Sequence, residues 1–186
     1  MPLPIETERL LLRKYEEEDL LDILEYSSDP DFWIARNLDW KPTKEGVREY
    51  WTSQRDIEPA FDPEWLALVI QLKAQEKVIG NAGIGIIKTG DHKQGTIGWL
   101  LGKAYQGKGY ATEAAKALLR YGFLELGLHR ISARTGLDNI RSWGLMERIG
   151  MRREAHFWKS HMLKGEWRDE LVYASLAEEW REREEK

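Results

Sequence analysis

One stretch constrains this chain more than any other: Thr96-Ile97-Gly98-Trp99-Leu100-Leu101-Gly102-Lys103-Ala104-Tyr105-Gln106-Gly107-Lys108-Gly109-Tyr110-Ala111-Thr112-Glu113-Ala114. Its opening residues are apolar and β-forming, which predicts a strand. A turn holding Gly102, Gly107 and Gly109 follows. Ala111, Ala114, Ala115, Leu118, Leu119, Phe123 and Leu126 then recur at helical spacing, and Gly127 is placed to end that helix. A strand, a glycine-rich loop and a helix N-terminus together make an anion cradle. The first turn of a helix has N–H groups without intrahelical partners, and its macrodipole favours negative charge. Gly107 and Gly109 have no Cβ, so a phosphate can approach the backbone. Lys103 and Lys108 add positive charge. The stretch predicts a phosphate or pyrophosphate site.

Several phosphate chemistries compete for it. Gly102 to Lys108 satisfies most of the nucleotide P-loop pattern G-x-x-x-x-G-K-[ST], but Gly109 stands where a hydroxyl would hold Mg²⁺. A dinucleotide fold needs G-x-G-x-x-G. Here Gly107-x-Gly109 runs into Thr112, and the position is wrong for a first βα unit. The third reading is Gln106-x-x-Gly109-x-Ala111, of the form Q/R-x-x-G-x-G/A. This stretch resembles the acyl-CoA pyrophosphate signature of the GNAT N-acetyltransferases. A glycine-rich corner without a ligand is the bland alternative. It is weakened because Ile97-Gly98-Trp99 and Ala111-Thr112-Glu113-Ala114 match the family as well.

Composition removes other classes. The chain has 186 residues, 42% hydrophobic and 32% charged, which suits one soluble domain over residues 1–186. A net charge of -4 gives no basic character for direct nucleic-acid binding. No apolar run approaches the roughly 20 residues of a membrane span, and the N-terminus lacks the features of a signal peptide. Cysteine is absent, which removes disulfides, thiolate metal sites and a cysteine nucleophile. Four histidines without metal-ligand spacing predict no metal, and a cytoplasmic address is the default.

Taken in order, the chain predicts a strand over Glu8–Tyr15 and a helix over Glu16–Ser28, stopped by Asp29-Pro30. Asp31–Pro42 is irregular and aromatic. A helix follows from Thr43, its N-cap, to about Arg55. Trp65–Leu72 and Lys77–Ile87 predict a hairpin of strands across Lys73–Glu76. Gly80, Gly83 and Gly85 within the second strand suggest a bulge or a close backbone neighbour. Lys88–Gln94 reads as a polar loop, with Gly95 opening the central strand. His129–Arg134 reads as a strand, and a helix runs from the Asn139 region to about Ile149 with Gly150 as its stop. Met151–Trp158 and Glu166–Leu176 predict a last antiparallel pair joined by Lys159–Gly165. Residues 177–186 read as a frayed, charged tail.

A second motif, Asn139-Ile140-Arg141-Ser142 through Glu147-Arg148-Ile149-Gly150-Met151, resembles the GNAT pattern N-x-x-S…E-K-x-G-F. Helix capping alone would account for its two ends. Its place one strand after the cradle helix is the family's order, and Thr7-Glu8-Arg9-Leu10-Leu11-Leu12-Arg13 is similar to the opening strand of RimJ/RimL-type, ribosomal-protein-alanine N-acetyltransferase-like members. The resemblance runs from Thr7 to Leu176. It implies an α+β fold with a mixed, mostly antiparallel sheet, flanked by helices, whose central strands splay. It implies acetyl-CoA as co-substrate. The backbone of Trp99, Leu100 and Leu101 would pair with the pantetheine arm. Gln106, Gly107, Lys108, Gly109, Tyr110, Ala111 and Thr112 would bind the pyrophosphate, and Asn139 and Ser142 would face the thioester.

The implied reaction is direct transfer of acetyl to a primary amine, on a protein N-terminus or a small molecule, in a ternary complex. Many GNATs carry a tyrosine acid in the Asn-led helix; that position here is Met146. The resemblance implies Ser142 as its substitute, and His161 on the last hairpin aligns with a base position, where histidine chemistry suits the role. Glu154 and Asp169 are reserve candidates that more readily orient neighbours. A catalytically inactive CoA-binding or regulatory module is the first alternative and a P-loop nucleotide hydrolase the second. Family resemblance also implies a homodimer.

Overall fold

The computed structural model describes residues 3–29, 43–55, 65–89, 92–163 and 165–185. Among them are eight strands: β1 (Ile5–Glu6), β2 (Leu10–Arg13), β3 (Trp65–Leu72), β4 (Lys77–Thr89), β5 (His92–Leu101), β6 (Arg130–Gly136), β7 (Arg152–Leu163) and β8 (Glu166–Leu176). Five α-helices accompany them: α1 (Leu20–Ser27), α2 (Lys44–Arg55), α3 (Tyr110–Leu124), α4 (Ile140–Arg148) and α5 (Ala177–Glu184). The strands form one sheet in the order β1-β2-β3-β4-β5-β6-β8-β7. Each adjacent pair is antiparallel except β5 with β6, which is parallel.

Side chains alternate across a strand, so register assigns the two faces. Leu66, Leu68, Ile70, Ala82, Ile84 and Ile97 share one core with Ala114, Ala115, Leu118 and Leu119 of α3. Ala67 and Val69 point the other way, onto Tyr15, Ile23, Tyr26, Val47 and Trp51 from the α1 and α2 side. On that second face β4 and β5 contribute Asn81, Gly83, Gly85 and Gly98, which leaves a shallow floor beside α1. Among the described residues no helix is long and apolar enough to cross a membrane.

Trp65–Leu72 has the boundaries its pattern predicts, and the Gly46 N–H donates to the Thr43 hydroxyl at 3.1 Å, as an N-cap requires. Three expectations are corrected. The expected loop at Lys88–Gln94 is mostly ladder: β4 pairs with β5 out to Thr89↔His92, so Gly95 lies inside a strand. Backbone pairing does not need apolar side chains, and polarity misled there. Likewise β7 continues past Trp158 to Leu163 through a bulge. Lys159 takes a positive φ of 44° in that bulge, and its N–H donates to Asp169 Oδ1 at 2.9 Å. The expected irregular segment Asp31–Pro42 lies outside the described residues.

The third correction concerns the tail. Ala177–Glu184 is helical, with Trp180 buried and its ring 5.6 Å from that of Phe123. The Leu176 N–H donates to the Glu179 carboxylate at 3.1 Å and closes the helix start. One large aromatic outweighs the surrounding charges. Removing residues 177–186, or Trp180→Ala alone, is expected to lower unfolding stability by about 3 kcal/mol in denaturant titration. A frayed tail would give no change.

Candidate functional site

The site begins where two strands part. β5 and β6 pair only over Gln94↔Arg130, Gly95↔Ile131 and Thr96↔Ser132. Beyond that, β5 stays with β4 to Leu101 while β6 stays with β8 to Gly136. The Ser132 hydroxyl donates to the Gly95 carbonyl at 3.2 Å, at the vertex. Past the vertex the facing edges of Ile97–Leu101 and Ala133–Gly136 carry no mutual ladder, and they flank a cleft of about 1280 Å³. That exceeds the roughly 300–1,000 Å³ of ordinary small-molecule pockets and suits an extended ligand.

At the mouth of the fork stands the start of α3. Gly107 and Gly109 have φ of 76° and 83°, where glycine alone is unstrained. The Glu113 N–H reaches the Gly109 carbonyl at 3.0 Å; those of Tyr110, Ala111 and Thr112 lie in the first turn and have no intrahelical acceptor. Glu113 holds this cradle to the first hairpin. Its carboxylate accepts from the Thr7 hydroxyl at 2.6 Å, the Arg9 N–H at 2.8 Å and Arg9 Nε at 2.7 Å. Arg9 also donates to the Lys108 carbonyl at 3.1 Å and lies 4.6 Å over the Tyr110 ring. Burial alone would raise the Glu113 carboxyl; the bonds from Thr7 and Arg9 outweigh it and hold it below the usual range.

The far wall is α4. The Asn139 side chain accepts from the Ser142 N–H at 3.2 Å and caps the helix. At its other end, Gly150 donates to the Glu147 carbonyl and Met151 to that of Met146, a Schellman pair. The Glu147 side chain accepts from the Tyr173 hydroxyl at 2.9 Å, so this acidic position of the motif is a strut. Ser142 lines the cleft, and its hydroxyl has no hydrogen bond to any described residue. Met146 lines the cleft as well, buried where a tyrosine acid would stand.

Of the residues singled out in sequence, the cleft gathers Trp99, Leu100, Leu101, Gln106, Gly107, Gly109, Tyr110, Ala111, Thr112, Asn139 and Ser142. Two do not join them. The Lys108 ammonium sits 5.6 Å from the Tyr105 ring instead of in the lining. His161 lies in β7 opposite Arg168, outside the lining, with Nδ1 enclosed and without a hydrogen-bond partner among the described residues. The bulge in β7, unseen in sequence, sets that placement. Glu154 pairs with Arg130 and Arg152, and Asp169 with His156 at 2.8 Å, so both hold neighbours in place. Gln106 bridges the mouth: its Nε2 donates to the Leu101 carbonyl at 3.0 Å, and its Oε1 accepts from Arg141 at 2.8 Å.

Sequence reading missed three cations of this wall. Arg134, Arg141 and Arg148 line the cleft with Lys103, against one carboxylate among the described residues, that of Asp29. The cleft is thus cationic in a chain of net charge -4. Arg141 and Arg148 were visible inside the second motif, but only the fold shows that they face the cradle.

Comparison with known proteins agrees with this geometry. The family model described as an acetyltransferase (GNAT) domain matches residues 9–152. The chain belongs to the GNAT acetyltransferase family. By that membership it is an N-acetyltransferase, as the resemblance implied, and the mixed sheet with parted central strands is the family's fold. An uncharacterised N-acetyltransferase of Bacillus subtilis, YnaD, is 38% identical over 95% of this chain and 98% of its own. The [ribosomal protein uS5]-alanine N-acetyltransferase of Escherichia coli is 25% identical over 94% of this chain and 91% of its own. A solved structure of Mycobacterium smegmatis RimJ with CoA-disulfide superposes with a TM-score of 0.80 at 25% identity, covering 91% of this chain and 83% of that one.

Glu113 gives a prediction with a definite sign. A carboxyl depressed in the folded state contributes stability above its unfolded value, about 4.3, and loses it as pH falls through the folded value. Glu113→Gln is expected to cost roughly 1 kcal/mol at pH 7 and to flatten the acid limb of the stability curve below about pH 4, read by thermal unfolding against pH.

Proposed function

We propose that this N-acetyltransferase takes its acetyl group from acetyl-CoA and passes it to a primary amine, a protein N-terminus or a small amine, by direct transfer within a single-domain chain. The observation that carries the reading is the fork of β5 and β6 with an anion cradle at its mouth. The edge of Trp99–Leu101, which β6 does not pair, suits a peptide-like pantetheine arm, which would add to β5 as a short strand. The N–H groups from Gly107 to Thr112 suit the diphosphate, with Arg141 beside them. Asn139 and Ser142 flank the thioester end.

The chemistry then needs little beyond positioning. A neutral amine nitrogen attacks the thioester carbonyl. A backbone N–H near Leu100 stabilises the developing oxyanion. The new C–N bond forms, the C–S bond breaks, and the proton shed by nitrogen leaves to water. Ser142 donates its hydroxyl proton to the departing thiolate and recovers one from solvent. His161 is given no step, because the cleft lining excludes it. An inactive CoA-binding module is the second reading, and buried Met146 in the place of a tyrosine acid is what favours it. A homodimer and a cytoplasmic address belong to the same proposal. The exposed Phe157, Trp158, Met162 and Trp167 on the last hairpin support the first, and the cysteine-free composition supports the second.

Two measurements test this. Acetyl-CoA titrated calorimetrically is expected to bind in the micromolar range, and Arg141→Ala to weaken it about 10-fold, the loss of one charge-assisted contact. No heat at millimolar ligand would end the proposal. In a thiol-release assay against amines and N-terminal peptides, Ser142→Ala is expected to lower kcat by about 10- to 100-fold with CoA affinity nearly unchanged, while His161→Ala stays within about twofold of the parent. CoA binding without thiol release from any acceptor would favour the inactive module.

A further inference from the structure

The strand glycines have a purpose that the transfer chemistry does not use. Gly83 and Gly98 stand directly opposite each other across β4 and β5, and Gly85 pairs with Trp65 across β3 and β4. All three present the same face. A Cβ at Gly83 would meet Trp65 Nε1 at 2.4 Å; at Gly85 it would meet Cε3 at 3.2 Å, and at Gly98 it would meet Cη2 at 3.2 Å. The ring atoms nearest these three points run from one edge of the indole to the other. The ring therefore lies flat on a glycine floor, reaching from β3 across β4 to β5. Strand glycines are unfavourable without such a close neighbour.

Its position matters. Gly98 is two residues past Thr96, the last residue of β5 paired to β6, so the ring tip ends at the open edge of the fork. Trp65 is half-buried and lines the cleft, with Tyr26, Asp29 and Asn81 on the same side. Helix α3, which carries the diphosphate cradle, packs on the opposite face of the sheet. A donor held from the α3 side leaves the α1 side for the incoming nitrogen. One face of the indole rests on the glycines; the ring also packs against the cluster that holds Tyr26 and Val69, and the part left accessible lines the cleft on the side of that approach.

We propose that the part of the Trp65 ring that lines the cleft is the platform for the carbon skeleton of the acceptor, selecting amines that carry an apolar or planar group next to the reacting nitrogen. This rests on the acetyl-transfer reading above. A large flat apolar surface rewards such a group by burial, and the ring face tolerates a neighbouring ammonium before it loses its proton.

The test uses the full chain and four probes: phenylalanine amide, leucine amide, glycine amide and serine amide. The parent is expected to show a KM about 10-fold lower for the first two, the worth of one buried ring face. Trp65→Ala should erase that preference by raising those KM values about 10-fold, with kcat within about threefold and acetyl-CoA affinity within twofold. Trp65→Phe, which keeps a smaller ring, should fall between and serves if the alanine variant does not fold. Equal KM values for all four amides in the parent, or a Trp65 change that weakens acetyl-CoA in parallel, would overturn the platform and leave transfer standing. If acetyl-CoA binds but no amide releases thiol, the amides are titrated calorimetrically into CoA-saturated protein. Binding lost in Trp65→Ala supports the platform even though transfer fails. Binding indifferent to Trp65, or absent, overturns it.

Discussion

The geometry of the cleft depends on a competition between strand partners. β5 has ten paired positions with β4, and β6 has seven with β8, but the two share only three with each other. Each strand follows its longer partnership as the sheet twists, and the short parallel contact gives way after Thr96 and Ser132. A parallel pair held by a long ladder would have closed the slot. Unpaired backbone at the sheet centre is normally unfavourable, and the slot relieves that only by admitting water or a ligand with peptide-like groups.

The anion cradle needs support from behind. Gly107 and Gly109 give the loop its shape but no stiffness. Stiffness comes from residues about a hundred positions earlier, where Thr7 and Arg9 converge on Glu113 and Arg9 also holds the Lys108 carbonyl. The first hairpin thus acts as a buttress for the helix N-terminus. The two motifs about a hundred residues apart, Thr7-Glu8-Arg9 and Ala111-Thr112-Glu113, are two halves of one joint. On the far side, capping by Asn139 and Gly150 fixes α4, and the bond between Glu147 and Tyr173 anchors it to β8.

Much of this was legible in the sequence because the signals were local. Helical spacing of alanine and leucine marked α3, glycine marked its start, and Asn139 and Gly150 marked α4. The glycines of β4 were read as marking a bulge or a close backbone neighbour; at Gly83 and Gly85 the nearest neighbour is instead the Trp65 side chain, set against them by register. What failed was non-local. The polar residues before Gly95 concealed a ladder, because pairing uses backbone. The β7 bulge moved His161 away from the cleft by adding residues that alternation does not reveal. Trp180 fixed a segment whose charge suggested fraying. Arg134 and Arg148 gave no sign of sharing a wall, because they stand on different elements brought together only by the parting of the strands.

The concentration of guanidinium groups in the cleft has a kinetic consequence. The chain is acidic overall, yet among the described residues four cations and one carboxylate line the slot. A polyanion diffusing toward this negatively charged chain is therefore drawn to one opening. Low-dielectric walls concentrate that field, so capture is steered toward the productive entrance and slows as salt shortens the reach of the charges to about 8 Å at physiological ionic strength.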